Sequence, residues 1–243
     1  MIANNYTLVI DAGNTRIKVG VFHHADLEEV RVYTAEQLSN LKSFLQERRE
    51  WPAIIASVKA DKDTKWIKQW LKNAIIFKTS MKLPLKMGYE TPQTLGVDRI
   101  CNAIAGFHLA KGACLTIDVG TCIKYDLVTA DGTYQGGSIS PGIELRYRAM
   151  HTFTGKLPLI EDKVVPPVTG KNTLDAMRSG VMHGIRAEML GFIAHYKEQI
   201  PELTIFLTGG GANYFDLGLK NGIFADDNLT LKGLQLTLAH YDI

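Results

Sequence analysis

The chain has 243 residues, 46% hydrophobic and 21% charged, and its 27 Lys and Arg against 25 Asp and Glu leave a net charge of +2. That composition belongs to a folded protein with a real core, and the balanced charge implies no general attraction to nucleic acid or membrane surfaces, so any anion site must be local. The length serves one large domain or two small ones without disulfides. Cys101, Cys114 and Cys122 form no CxxC pair and read as reduced, buried thiols. Met1 to Tyr6 carries no basic stretch leading into an apolar one, and no run approaches the ~18 apolar residues of a membrane span. A cytoplasmic location is therefore expected.

In chain order, LVIDAGNTRIKVGVF (8–22) predicts a hairpin and EEVRVY (28–33) a third strand. A helix follows over 34–51, with Thr34 and Gln37 as a capping box and Leu38, Leu41, Phe44 and Leu45 at helical spacing. AIIAS (53–57) reads as a buried strand, 63–73 as a helix, 74–78 as a strand and 79–95 as irregular. A helix over 97–111 leads into strands across 114–140, with Asp131-Gly132 as a hairpin turn. After the loop PLIEDKVVPPVTG, Asn172 caps a long helix whose stripe is Leu174, Met177, Val181, Ile185, Met189 and Ile193. LTIFLTGGG (203–211) is a strand ending in glycines that open a helix, and 232–241 closes as a helix. Three strands followed by alternating helices and strands predict an α/β fold with mixed sheets.

Laid over LTIDVGTCIKYDLV, the first hairpin aligns Asp11 with Asp118 and Gly13 with Gly120, 107 residues apart. A hairpin that occurs twice predicts two related domains, 1–112 and 113–243, with a cleft between them. Small turn residues let backbone N–H groups face a phosphate. A carboxylate beside them would repel that phosphate unless it holds a divalent cation or a positioned water. Two ordinary hairpins, with Asp, Gly and Asn supplying turn dihedrals, are the alternative; the repetition and the glycines of LTGGGANYF (207–215) favour a nucleotide-phosphate site.

DAGNTRIK (11–18), GVDR (96–99), DVGT (118–121), GGSISPG (136–142) and LTGG (207–210) occur in an order that resembles the type III pantothenate kinases, spread over about 200 residues. The resemblance implies the acetate and sugar kinase, actin and chaperone ATPase superfamily, with two ribonuclease H-like domains around a nucleotide cleft. It implies ATP-dependent phosphorylation of pantothenate, the first step of coenzyme A synthesis, with Mg2+ and a monovalent cation, potassium or ammonium. Asp11, Ala12, Gly13, Asn14, Thr15, Arg16, Ile17 and Lys18 would form the first phosphate motif, with Asp11 near the metal-bound phosphates. Thr121 would be a second ATP contact, Asp118 the monovalent-cation ligand and Asp98 the general base. Gly96, Val97, Asp98, Arg99, Tyr89 and Thr173 would contact pantothenate, in a homodimer whose substrate pocket lies near the subunit interface.

Each role competes with a plainer one. Asp98 and Thr173 stand where helix caps stand, Tyr89 could cover the core, and Lys18 could be an exposed strand lysine. Arg99 suits a carboxylate or amide oxygen because its planar fork can donate two hydrogen bonds. No HxxxH or HxH spacing suggests zinc, and no GxxxxGK[ST] suggests a P-loop. The sequence departs from the family after DVGT, where Cys122, Ile123 and Lys124 replace the usual small or hydroxyl residues; Lys124 would either add charge near the nucleotide or face solvent. A non-catalytic regulatory relative, or a sugar or acyl-phosphate kinase, are the other readings. Retention of Asp11, Asp98, Arg99 and Asp118 disfavours the first, and GVDR is out of place in the second.

Overall fold

A computed structural model describes residues 5–13, 16–57, 62–218 and 222–241. The chain divides into two compact units, one made of residues 1–109 and 228–243, the other of 110–227.

The first unit contains β1 (Tyr6–Ala12), β2 (Ile17–His23), β3 (Asp26–Tyr33), α1 (Leu38–Gln46), β4 (Ala53–Ser57), α2 (Lys62–Lys68), β5 (Ala74–Ile76), the two-residue β6 (Lys86–Met87) and α3 (Val97–Ala110). Its sheet runs in the order β3-β2-β1-β4-β5, antiparallel across β1–β2–β3 and parallel from β1 through β4 to β5. In β1, Leu8, Val9 and Ile10 are all fully buried, so both faces of this strand are covered. Leu8 and Ile10 join Leu41, Phe44, Leu45, Ile55 and Ile67 in a core that includes α1 and α2. The predicted first helix is shorter than its periodicity suggests. A 3-10 turn over Ala35–Gln37 precedes α1, and the Gln37 side chain accepts the Thr34 N–H at 3.1 Å.

The second unit contains β7 (Cys114–Val119), β8 (Cys122–Val128), β9 (Thr133–Pro141), α4 (Ile143–Phe153), α5 (Thr173–Gln199), β10 (Thr204–Thr208) and β11 (Ile223–Ala225). These strands lie in the order β9-β8-β7-β10-β11, with β7–β8–β9 antiparallel and β7, β10 and β11 parallel. The sheet has a sixth strand, the short β6 beside β9, and its other five repeat the order of the first sheet, so the echo between the Asp11 and Asp118 hairpins extends to the sheets around them. Met177, Val181, Ile185, Met189 and Ile193 of α5 are buried in this core, but Leu174, counted in the stripe from spacing, is exposed in the first turn.

The last helix, α6 (Leu229–Ala239), departs from the expected boundaries. Residues 228–243 group with the first unit, where α6 packs on β1, β4 and β2 and buries Leu229, Leu231, Leu234 and Leu238. An amphipathic helix goes where an apolar sheet face awaits it, and that face belongs to the first sheet. No apolar period in the sequence announces α4, in which Ile143 and Tyr147 are the buried side chains. The glycines after β10 open a single 3-10 turn over Ala212–Tyr214, not a helix, so no helix N-terminus favours a phosphate there.

Candidate active site

In the first unit, Asp11 is the penultimate residue of β1 and stands opposite Lys18 of β2 in the antiparallel register. Gly13 N–H donates to the Arg16 carbonyl at 3.0 Å, and Ser57 Oγ donates to the Ala12 carbonyl at 3.3 Å, so β4 fixes the strand end where the turn begins. Ala12 is buried, Arg16 is exposed, and Ile17 and Lys18 are half-buried. Asn14 and Thr15 lie outside the described residues. The Lys18 ammonium donates to Asn228 Oδ1 at 3.4 Å, a partner that nothing in the hairpin's sequence announces.

The GVDR segment starts α3. The Gly96 carbonyl accepts the Arg99 and Ile100 N–H groups at 3.1 and 3.3 Å, so the helix is launched from Gly96 and Asp98 falls inside its first turn. Asp98 is therefore not the cap, although its carboxylate suits the helix dipole there. Its Oδ1 accepts the Arg99 N–H at 2.9 Å. A Cβ at residue 96 would stand 2.7 Å from that same Oδ1, closer than real contacts allow, so glycine at 96 is what leaves room for the carboxylate. Arg99 is 5% exposed, and its guanidinium lies 5.8 Å from the Tyr89 ring centroid. Burial pushes the Cys101 thiol well up, and the nearby charges of Asp11 and Asp98 add to the effect. The structure thus brings Asp98, Arg99 and Tyr89 together at the start of α3, with Asp11 near enough to the same helix to act on the Cys101 thiol.

In the second unit, Asp118 stands opposite Lys124 across the β7–β8 pair, and the Lys124 ammonium donates to Asp118 Oδ2 at 2.7 Å. Both side chains are largely buried, 14% and 16% exposed. Of the two orientations open to Lys124 from sequence, the inward one is realised. The turn beyond Asp118 is held by Gly120 N–H to the Cys122 carbonyl at 3.1 Å and by Gly142 N–H to the Thr121 carbonyl at 3.0 Å, with Thr121 itself exposed. Thr173 is the exposed first residue of α5, behind Asn172, whose Oδ1 accepts the Asp175 N–H at 2.9 Å.

Beneath this turn lies a polar cluster that sequence patterning did not single out. Glu188 of α5 accepts from Tyr125 at 2.8 Å, from Ser140 and from Arg146, while Arg146 also donates to the Pro141 carbonyl at 2.8 Å. Burial works against the charged Glu188, but the hydrogen bonds from Ser140, Arg146 and Tyr125 outweigh it and hold its pKa below the ordinary carboxylate value. The cluster joins β8, β9, α4 and α5 at the Ser140-Pro141-Gly142 end of the GGSISPG motif. Its residues lie far apart in sequence, so no spacing could reveal it.

Two sheets that share a five-strand order, each opening on an Asp-and-glycine hairpin, define the actin-like ATPase and sugar kinase fold. A ROK hexokinase from Thermus thermophilus shares it with a TM-score of 0.56 at 15% identity, over 98% of this chain and 100% of that one. The chain belongs to the type III pantothenate kinase family, whose sequence profile matches residues 7–195. It is 40% identical to a type III pantothenate kinase from Phocaeicola vulgatus, over 97% of this chain and 98% of the relative. To one from Christiangramia forsetii it is 39% identical, over 95% and 97%. It is accordingly a kinase that phosphorylates pantothenate in coenzyme A biosynthesis, and that reaction implies ATP and a divalent metal ion.

Proposed function

We propose that Asp98 is the general base of this kinase and that Arg99, Tyr89, Gly96, Val97 and Thr173 bind pantothenate. The observation that carries this reading is the start of α3, where Gly96 makes space for the Asp98 carboxylate and the buried Arg99 stacks near Tyr89. Asp98 accepts the proton of the attacking hydroxyl as its oxygen bonds to the γ-phosphorus of ATP and the bond to the bridging oxygen breaks to release ADP, and Arg99 fixes the acceptor through its carboxylate or amide oxygens. Asp11, Ala12, Gly13, Asn14, Thr15, Arg16, Ile17 and Lys18, with Thr121, contact ATP.

The residues present fit magnesium. Asp11 offers a half-buried carboxylate at a glycine turn, and Mg2+ is commonly held by one or two carboxylates together with substrate phosphates. When bound, the ion would neutralise phosphate charge and spare Asp11 its repulsion from the nucleotide. The family resemblance implies a monovalent cation at Asp118, but the residues there do not fit one as they stand, because the Lys124 ammonium already donates to Asp118 Oδ2 at 2.7 Å.

A homodimer is supported by apolar side chains exposed along residues 153–174: Phe153 is 85% and Val168 72% exposed, and Val164, Val165 and Leu174 are exposed beside them. Thr173 lies in this segment, which accords with a substrate pocket near a subunit interface. Among the described residues no helix is long and apolar enough to cross a membrane, and we place the enzyme in the cytoplasm. ADP release measured with and without pantothenate tests the activity. Asp98→Asn should nearly abolish it with the far-UV circular dichroism unchanged, and full activity in that variant would remove Asp98 from the base role.

A further inference from the structure

We infer that the Lys124 ammonium is a built-in replacement for the monovalent cation at Asp118, so that phosphoryl transfer by this chain needs no potassium or ammonium from solution. The inference rests on the reading of Asp118 and Thr121 as part of the ATP site.

The backbone itself makes the pairing. Asp118 and Lys124 are register partners across an antiparallel ladder, which sets their Cβ atoms about 5 Å apart and within easy reach of a lysine stem. The ammonium then lies 2.7 Å from Oδ2. On the other side, the glycine turn after β10 closes in on Oδ1. A Cβ at Gly209, whose φ is +89°, would stand 2.4 Å from that oxygen, and one at Gly120 would stand 3.5 Å away. One carboxylate oxygen is thus taken by an ammonium and the other is crowded by backbone. A free ion seeking Asp118 must first displace Lys124.

The chemistry of the replacement is close. A primary ammonium carries the same single charge as potassium or ammonium and presents three N–H donors, as a bound ammonium ion would. Held by the strand, it sits at a high effective concentration and does not have to be gathered from solution. A largely buried carboxylate without a partner is costly, so a cation of some kind belongs there in every state of the enzyme. With a small residue in place of Lys124 the same carboxylate would be left to an ion; here the lysine fills that need.

The test compares pantothenate-dependent ADP release in potassium, ammonium, sodium and choline chloride at equal ionic strength. Wild-type rates should agree within about twofold, while Lys124→Thr should lose at least about tenfold in choline and recover saturably with potassium or ammonium. Lys124→Met, which keeps the apolar stem, guards against a folding defect and should behave alike. Thallium(I) titration followed by 205Tl NMR gives a readout without turnover: wild type should show no saturable binding, and Lys124→Thr should show binding that Asp118→Asn removes. Saturable wild-type binding lost in Asp118→Asn, or a wild-type rate that falls tenfold in choline, would overturn the inference. If no salt supports pantothenate-dependent turnover, the kinase reading fails, and the thallium titration still decides the role of Lys124.

Discussion

The two hairpins are built alike and finished differently. Both place an aspartate at the end of the strand and a lysine opposite it, Asp11 with Lys18 and Asp118 with Lys124. In the second, the lysine closes on its own carboxylate at 2.7 Å; in the first, the lysine reaches Asn228 at 3.4 Å, at the threshold of α6. One turn carries its own counter-charge, whereas the other is tied to a distant segment and stands beside the Asp98 helix. On the roles proposed above, a duplicated scaffold divides its labour: Asp11, Asp98, Arg99 and Tyr89 lie in the first unit, whereas the second adds Thr121 and Thr173 and carries a fixed charge pair at its hairpin.

The largest test of this division is Asp98→Asn, expected to lower kcat by about 10²- to 10⁴-fold with little change in the melting temperature. A comparable loss on changing Asp118 would place the chemistry equally in both halves. Next comes Asp11→Asn, expected to cost about 10²- to 10³-fold in kcat and to weaken the apparent affinity for magnesium; a magnesium titration that does not move would take Asp11 away from the metal. Gly96→Ala pushes a methyl group towards Asp98 Oδ1, and a displacement approaching 1 Å should cost up to about 10²-fold in kcat. Arg99→Lys, which keeps the charge but loses the planar fork, should mainly raise KM for pantothenate, by about tenfold. An unchanged KM would leave Arg99 as packing for Tyr89.

The smallest effect concerns stability at low pH in the second unit. Glu188 has a folded-state pKa below its ordinary value of 4.5, so its contribution is full above that pH and is lost as the pH falls through the lower folded value. Glu188→Gln should therefore lower the melting temperature most at neutral pH and least in acid, which flattens the acid limb of its pH profile.

Much of this was legible in the sequence because it is local or repeated. A continuous apolar run marks β1 and alternation marks β2, Asn172 marks the start of α5, and the Asp11–Asp118 echo predicts the duplicated sheets. What escaped has a common physical character. α4 buries only Ile143 and Tyr147, too little apolar surface to betray its period. The Glu188 cluster and the Lys18–Asn228 bond join residues separated by tens to hundreds of positions. The direction of Lys124 depends on register, which sequence leaves open and the β7–β8 ladder settles. For Asp98 the helix start was evident, but only the Gly96 carbonyl bonds show that the aspartate lies within the first turn and is not its cap.

The return of α6 to the first sheet bears on how the protein is made. The ribosome delivers β1, β4 and β2 early, yet the helix that covers one of their faces is residues 229–239. At typical elongation rates of about 5–20 residues per second, that apolar face waits on the order of ten seconds for its partner. Residues 110–227 hold their own sheet and helices, so the second unit is free to fold during that wait. The half bearing Asp98 is then completed last, and the nascent first sheet is the stretch most in need of a chaperone.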